Sequence, residues 1–325
     1  MAAATDPEIL MGKEFSYEDL QHFTDNFSEE NSIGRTHFGM LYRGKIPQGW
    51  KDQLDEKYVT VKMWENKEYL GNDNWGRVLP QYLLDRVKDE IRFLGLPFLE
   101  SNKNVAKVLG HCFEDDKLGV VYDLNPFDTL RNLMCDKEKL GWRNRVKVAI
   151  GLARVVKFIH NNEPQYLIRN LSAAHVVVDQ EFNPVIVDFA MILGGDIGDA
   201  ETDRVITFGC RDYLDPYIWF TADWTERTDV FTVGIILLEL ILKQIGIGMH
   251  LSYKLLSYYY KNGDFNLFVP KSLRGDPDFD SEDGTELTMI AVNCVEEEPY
   301  KRPNMDQVVS KLEKLHILND QFKDN

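Results

Sequence analysis

Residues 166–189, YLIRNLSAAHVVVDQEFNPVIVDF, constrain the fold more than any other stretch of the chain. Two short apolar runs, HVVVD and PVIVDF, flank a polar turn at residues 180–183. Short β-branched runs on either side of a polar turn predict a β-hairpin. The polar residues 169–175 lead into this hairpin, and Asp188 closes it. The sequence therefore predicts a polar site supported by a buried hairpin.

The character of the chain changes near residue 125. Before this point the pattern predicts strands and one main helix, and after it the pattern is mostly helical. The predicted strands are 33–45, 58–63, 105–109 and 118–122, and the predicted helices are 16–26 (capped by Ser16), 81–94, 142–160, 228–242, 251–260 and 305–318. Residues 64–80 are expected to form an irregular insertion. The best domain boundary is the change near residue 125.

An acidic stretch at residues 276–286, DPDFDSEDGTE, superficially resembles a calcium-binding loop. Such a loop needs glycine at its sharp turn and a bidentate glutamate at its end. Ser281 and Leu287 occupy those two positions. The stretch is therefore interpreted as a solvated acidic loop without a metal ion.

Charge and cysteine usage exclude several classes of protein. The net charge of −16 argues against a nucleic-acid surface, which needs clustered lysine and arginine to neutralise phosphates. The four cysteines are far apart in the sequence, which argues against a zinc site and favours a reducing compartment. The longest apolar run, residues 231–242, is too short to span a bilayer. A cytoplasmic protein is expected, with peripheral attachment to the plasma membrane as an alternative.

One targeting pattern lies near the N-terminus. Residues 11–16, MGKEFS, fit the N-myristoylation pattern, but acylation requires the glycine directly after the initiator methionine. Ala2 follows Met1 in this sequence. The match is a coincidence unless translation begins at Met11.

A glycine-punctuated, β-like stretch, residues 33–45 (IGRTHFGMLYRGK), contains a turn and precedes the predicted strand at 58–63, which includes V-T-V-K. Glycines in such a turn let backbone N–H groups approach phosphates closely, although two glycines in a hairpin often mean only a hairpin. The next predicted helix carries Glu90, whose carboxylate is in a position to pair with Lys62. The order of these features favours a functional pair over two unrelated surface charges.

These motifs resemble the eukaryotic protein kinases, and the stretches FSYEDLQHFTDNFSEENSIG, VVYDL, RTDVFTVGIILLEL and KRPNM resemble the plant receptor-like cytoplasmic kinases. The resemblance covers residues 15–317. It implies an α+β, two-lobed kinase fold with a disordered segment at 1–14, a small β-rich lobe at 15–123, a hinge at 124–128, a helical lobe at 129–317 and a tail at 318–325.

The resemblance also assigns site residues, several of which are changed. Asn170 stands where kinases have the catalytic aspartate, and Ser172 stands where they have a lysine that contacts phosphate. Asp188 keeps the position of a magnesium ligand, whereas His175 replaces the asparagine that binds the second ion. Ala190 replaces the glycine of D-F-G. His175 is interpreted as a core or hinge histidine in preference to a metal ligand.

Four further positions have roles that the resemblance implies. Tyr217 replaces the glutamate of A-P-E, so Arg302, its usual partner, must find another partner or contact water. Asp229 resembles the aspartate that anchors the catalytic-loop backbone. Arg169 is placed to pair with a phosphorylated Thr202 or Thr207.

The resemblance implies a nucleotide site with weakened binding of ATP and Mg²⁺. The residues assigned to the nucleotide are Ile33, Gly34, Thr36, Gly39, Leu41, Lys62, Glu90 and Tyr122. The leading hypothesis is a catalytically impaired pseudokinase that serves as a scaffold, adaptor or regulator of kinases or receptors, by analogy with family members that serve plant immune receptors. A slow Ser/Thr kinase is the alternative hypothesis, and a nucleotide sensor without phosphate transfer lies between the two.

Overall fold

The computed structural model describes residues 11–50, 55–65, 80–114, 116–135, 140–198, 212–221, 223–247, 253–254, 257–258, 261 and 268–319. The chain divides into two compact units, residues 1–125 and residues 126–325. The predicted domain bounds and the hinge at 124–128 stay predictions. Residues 66–79 of the predicted insertion at 64–80 and most of the predicted helix at 251–260 lie outside the described residues.

The first unit contains a six-stranded sheet in the order β1-β5-β6-β4-β3-β2. Its strands are β1 (Lys13–Glu14), β2 (Ser32–Arg35), β3 (Gly39–Ile46), β4 (Lys57–Trp64), β5 (Val108–Glu114) and β6 (Lys117–Tyr122), and its helices are α1 (Tyr17–Phe23) and α2 (Pro80–Leu94). The pairing is antiparallel except between β1 and β5. The glycine-punctuated, β-like stretch at 33–45 forms β2 and β3, and the predicted strands at 58–63 and 118–122 and the helix at 81–94 are confirmed.

Helix α1 begins at the predicted cap but ends earlier than predicted. The Ser16 side chain accepts a hydrogen bond from the Asp19 backbone N–H, and the Asp19 side chain accepts one from the Ser16 N–H, which forms a capping box. The prediction that the helix reaches residue 26 is wrong, because residues 25–27 all have positive φ angles between 52° and 55°. Three consecutive left-handed residues cannot continue a right-handed helix.

The predicted strand at 105–109 is also displaced. The structure has Val108–Glu114 as the strand, paired with Lys117–Tyr122. Cys112 is buried at this position and lies opposite Gly119. The mixed stretch HCFE carries no clear alternation, so pairing with β6 determines the strand and local pattern does not.

The second unit contains a small three-stranded sheet and the principal helices. Its strands are β7 (Asp128–Thr129), β8 (Val176–Val178) and β9 (Pro184–Ile186), and its helices are α3 (Leu130–Cys135), α4 (Trp142–His160), α5 (Ile218–Thr221), α6 (Glu226–Leu242), α7 (Lys271–Arg274), α8 (Ser281–Cys294), α9 (Met305–Leu312) and α10 (His316–Asn319). The predicted hairpin is confirmed as β8 and β9, with Val177 opposite Val185. The predicted helices at 142–160 and 228–242 are confirmed as α4 and α6.

A buried arginine joins helices α4 and α6. The Arg145 guanidinium donates to the carbonyl oxygen of Leu140 at 2.8 Å and to that of Leu240 at 2.6 Å. The Leu240 carbonyl lies in the last turn of α6, where helix carbonyls lack partners within the helix. Burial lowers the pKa of Arg145 to about 10. The guanidinium therefore supplies a hydrogen-bond donor that the end of α6 requires.

The acidic stretch at 276–286 is not the solvated loop that the sequence suggests. The Asp280 side chain caps α8 by accepting the N–H groups of Glu282 and Asp283. The Asp283 carboxylate is buried and accepts the N–H groups of His316 and Ile317 at 2.6 and 2.9 Å. The prediction of a single helix at 305–318 is likewise wrong. Helix α9 ends at Leu312, and a separate helix, α10, begins at His316, where the Asp283 carboxylate binds the first backbone N–H groups.

We expect Asp283→Ala to lower the melting temperature of the protein by roughly 4 to 8 °C. The substitution leaves the buried Ile317 N–H and the partly buried His316 N–H without their charged acceptor, a loss of about 2 kcal/mol. Differential scanning fluorimetry measures the change. Glu282→Ala is the matched control, since the Glu282 side chain is largely exposed. Equal shifts for the two variants would contradict the role assigned to Asp283.

We expect protein stability to depend on pH through Glu239. Burial raises the pKa of Glu239 to about 7 from 4.5, although Tyr213 Oη–H and Gly246 N–H each donate to its carboxylate. Between these pH values the folded carboxyl keeps a proton that the unfolded one releases. The free energy of unfolding should therefore fall by up to about 3 kcal/mol as the pH rises through this window. Urea denaturation from pH 5 to 8 measures the slope, and a Glu239→Gln variant with an unchanged slope would contradict the assignment.

Candidate functional site

A buried ion pair connects strand β4 to helix α2 in the first unit. Lys62 Nζ lies 2.8 Å from Glu90 Oε2, and neither side chain is exposed to solvent. The Tyr122 hydroxyl donates to the other carboxylate oxygen of Glu90. Buried charges need such partners, because an uncompensated charge in a protein interior is strongly destabilising. The predicted Lys62–Glu90 pair forms, and Tyr122 completes it.

The glycine-rich turn joins β2 to β3 with its tip held against β4. The Thr36 N–H donates to the Gly39 carbonyl at 2.8 Å, and the Thr36 side chain is buried. A Cβ at Gly39 would lie 2.0 Å from the Met63 carbonyl oxygen, so only glycine fits there. Ile33 and Leu41 are buried in the same unit. The assigned role of these residues in nucleotide binding stays a prediction.

Trp64 is a residue that the sequence interpretation missed. It was assigned to an irregular insertion but is the last residue of β4. Its ring stacks on Phe38 at 5.2 Å between centroids, and Lys62 Nζ lies 4.3 Å from the centroid of its ring. The sequence signal that could have identified Trp64 is the two-residue period of a strand, which puts Lys62 and Trp64 on one face.

Thr60, on that same face of β4, was also missed. Its hydroxyl donates to the Leu124 carbonyl oxygen at 3.0 Å, and the side chain is buried. Kinases have alanine at this position of V-A-I-K, which the sequence here replaces with threonine. The replacement adds a hydroxyl group that fixes the end of the first unit to β4.

In the second unit, Asp229 anchors the segment that precedes the hairpin. Its two carboxylate oxygens accept the backbone N–H groups of Ile168 and Arg169, each at 2.8 Å. His160 Nε2 lies 2.9 Å from the same carboxylate. Arg169 takes a positive φ of 63°, which the two N–H bonds help to hold. The anchoring role that the resemblance implied for Asp229 is confirmed.

The three changed positions after Arg169 are buried and bound within their own loop. The Ser172 hydroxyl accepts the Ala174 N–H at 3.2 Å. His175 Nδ1 bonds to the Asn170 carbonyl oxygen, so Nδ1 must carry the proton because a carbonyl only accepts. Asn170, Ser172 and His175 are all buried. The serine therefore stabilises a turn and the histidine braces the loop.

The potential metal-ligand atoms near Asp188 do not fit the pair of magnesium ions that protein kinases use. One oxygen of Asp188 accepts the Ala190 N–H at 3.0 Å, and the other lies 3.7 Å from His175 Nε2, which exceeds a hydrogen-bond distance. Mg²⁺ prefers oxygen ligands, and the histidine offers nitrogen. Asp188 offers carboxylate oxygens, whereas His175 offers only nitrogen at the position of the second ligand. The metal roles assigned to these two residues stay predictions.

Arg302 finds its alternative partner in Asp215. Its guanidinium binds both oxygens of the Asp215 carboxylate, and neither side chain is exposed. The same guanidinium donates to the carbonyl oxygens of Arg227 and Glu296. Tyr217, at the position of the expected glutamate, is partly exposed instead. The buried pair is therefore kept with a carboxylate two residues earlier in the chain.

Arg169 is held within its own loop by a donor bond from Nε to the Met191 carbonyl oxygen. The guanidinium also lies 5.5 Å from the centroid of the Trp224 ring. Thr202 and Thr207, its predicted phosphorylated partners, are outside the described residues. The pairing with a phosphorylated threonine stays a prediction.

The chain matches the model of the protein tyrosine and serine/threonine kinase family over residues 27–312. It belongs to this family of protein kinases, and the predicted α+β, two-lobed kinase fold is confirmed. The family uses ATP and Mg²⁺.

Relatives from plants support the resemblance to receptor-like cytoplasmic kinases. The probable serine/threonine-protein kinase PBL9 of Arabidopsis thaliana is 26% identical over 97% of this chain and 77% of its own length. An EPD1-interacting receptor-like cytoplasmic serine/threonine-protein kinase of Nicotiana benthamiana is 25% identical over 94% of this chain and 64% of its own. The LRR receptor kinase SERK2 of Oryza sativa subsp. japonica is 29% identical, and this chain spans half of its length. Among the described residues, no helix is both long and apolar enough to cross a membrane.

We expect Asp215→Ala to destabilise the protein by about 3 to 5 kcal/mol, because it leaves the buried Arg302 guanidinium without its counter-charge. Thermal melting followed by circular dichroism measures the loss. The neighbouring Tyr217→Ala should change stability by about 1 kcal/mol or less, since its side chain is partly exposed. If the tyrosine variant were the less stable of the two, the assignment of the buried pair would be wrong.

Proposed function

We propose that the protein is a catalytically impaired receptor-like cytoplasmic pseudokinase that acts as a scaffold, adaptor or regulator of kinases or receptors. The observation that carries the proposal is Asn170 at the position of the catalytic base. An amide oxygen accepts a hydrogen bond from a substrate hydroxyl but has no basicity near neutral pH. General-base catalysis contributes roughly 10²- to 10⁴-fold to such reactions.

The surroundings of Asn170 support the same conclusion. Ser172 lacks the positive charge of the lysine that contacts phosphate, and its hydroxyl accepts the Ala174 N–H. His175 is bonded to the Asn170 carbonyl and offers Mg²⁺ no oxygen. Binding of ATP and Mg²⁺ is therefore expected to be weakened as well as phosphate transfer.

The contacts that maintain the fold are retained, and this favours a protein that functions by binding other proteins. Asp229 still holds the loop backbone, and Lys62 still pairs with Glu90. Asp215 takes over the partner role for Arg302. These contacts need no chemistry at Asn170, and they preserve a kinase-like surface for other proteins.

The proposed partners are other proteins, namely kinases or receptors, including immune receptors by analogy with the family. One relative is named as EPD1-interacting, and another is a receptor kinase. The net charge of −16 argues against nucleic acid as a partner. We propose a cytoplasmic location, with peripheral attachment to the plasma membrane as the alternative.

A weakly active Ser/Thr kinase is the second candidate function. Lys62, Glu90 and Asp188 are all kept, and relatives are named as probable serine/threonine-protein kinases. Asn170 still has the acceptor oxygen that orients a hydroxyl. Such an enzyme would transfer the ATP γ-phosphate slowly to protein substrates.

We expect the purified wild-type protein to transfer no more radiolabelled phosphate than its Asp188→Ala variant at millimolar ATP with Mg²⁺. The triple variant Asn170→Asp/Ser172→Lys/His175→Asn restores the base, the phosphate contact and the second metal ligand. It should exceed wild type by roughly 100-fold or more. Transfer to the chain itself and to a generic basic protein substrate is measured.

An active plant Ser/Thr kinase run in parallel is the positive control. Transfer by the wild type that Asp188→Ala abolishes would refute the pseudokinase proposal in favour of the slow kinase. A triple variant without transfer would contradict the assignment of the loss to these three positions.

A further inference from the structure

The ammonium group of Lys62 is enclosed by side chains of its own unit. Glu90 Oε2 accepts from it at 2.8 Å, and the Trp64 ring lies on a further side at 4.3 Å from the ring centroid. Lys62 has no exposed side-chain area. In protein kinases the same lysine uses its remaining donors to bind the α- and β-phosphates of ATP. The indole of Trp64 therefore occupies one side of the Lys62 ammonium group.

The contact between Lys62 and Trp64 is of a kind that is strong when buried. An ammonium over the face of tryptophan is the most favourable cation–π pair, and its strength rises when water is excluded. Within the described part of the chain, the Trp64 indole N–H has no hydrogen-bond partner. The ring thus makes its polar contact through its face and not through its N–H group.

The glycine-rich turn also contacts the Trp64 ring. Phe38 stacks on Trp64 with an angle of 27° between the rings, and the Phe38 carbonyl accepts the Glu65 N–H at 2.9 Å. Arg35 forms a two-bond contact with the Glu65 carboxylate, at 2.6 and 3.1 Å. These contacts continue the pairing of β3 and β4 beyond Gly39 and fix the tip of the turn to Glu65, directly after β4.

We propose that Trp64 takes the place of the nucleotide in holding the Lys62–Glu90 pair, so that the first unit keeps this pair assembled without ATP and disfavours ATP binding. Trp64 acts as a positioning residue through Lys62. The inference rests on the proposed pseudokinase function and deepens it, because it gives the unit an ATP-independent conformation. Without Trp64, an ATP phosphate should regain access to Lys62.

ATP titration of the full chain with and without Trp64 tests the proposal. Wild type, Trp64→Leu and Trp50→Leu are titrated with ATP, with and without Mg²⁺, by isothermal calorimetry and differential scanning fluorimetry. We expect Trp64→Leu to melt at a lower temperature without nucleotide. It should bind ATP roughly 10- to 30-fold more tightly than wild type, as the loss of a buried cation–π contact predicts.

Trp50→Leu is the matched control. Trp50 packs on Phe23 and His22 in the first unit and belongs to the cluster around Val59 and Val61. Its loss should lower the melting temperature with no gain in ATP affinity. An equal gain in both variants would mean that general loosening admits ATP, and this would overturn the role of Trp64.

Two further results would overturn the proposal. One is wild-type ATP affinity equal to or tighter than that of Trp64→Leu. Trp64→Phe is a milder variant that replaces Trp64→Leu if the latter does not fold, and it is expected to gain a few fold in ATP affinity. The other result is a wild-type ATP affinity equal to or tighter than that of Trp64→Phe. Neither result affects the pseudokinase proposal, which falls only if wild-type protein transfers phosphate.

Discussion

The buried ion pair between Lys62 and Glu90 is the interaction on which the first unit depends. It joins a central strand of the sheet to the main helix, and it does so with two charges fully removed from water. Such a pair is stable only when the remaining donors and acceptors of both groups are satisfied. Tyr122 does this for the carboxylate, and Trp64 contributes to it for the ammonium. The pair, the aromatic residues and the glycine-rich turn therefore form one connected arrangement.

In the second unit, the residues that support the backbone differ from the residues at the positions of the kinase catalytic groups. Asp229 binds two backbone N–H groups and the His160 ring, so its contacts do not involve the side chains at positions 170, 172 and 175. Asp215 and Arg302 behave in the same way, since their pair required only a carboxylate within reach of the guanidinium. The side chains at positions 170, 172 and 175 differ from those of the kinase motifs, whereas the supporting contacts are present.

Local patterns predicted the parts of the fold that local forces determine. The capping box at Ser16, the hairpin of β8 and β9, and the amphipathic helix α4 follow from side-chain chemistry and spacing within a few residues. The predicted bounds of β5 were wrong, because pairing with β6 determines them. The predicted continuous helix at 305–318 was wrong, because the start of α10 depends on the distant Asp283.

The candidate site divides in the same way. Its ordered motifs predicted that Lys62 and Glu90 would meet, and they do. The motifs gave no information on the contacts of Trp64, which lies outside them, or on the Leu124 carbonyl that Thr60 binds. The alternative partner of Arg302 was equally hidden, since it depends on which carboxylate a buried guanidinium can reach.

The Asp229 contact has a consequence for the evolution of such chains. Because Asp229 on helix α6 holds the loop backbone through the N–H groups of Ile168 and Arg169, replacements at positions 170, 172 and 175 leave this support in place. Selection for enzymatic turnover can then relax while selection for a recognisable surface continues. A lineage of active kinases can in this way yield members that keep the architecture and lose the reaction through a handful of side-chain replacements.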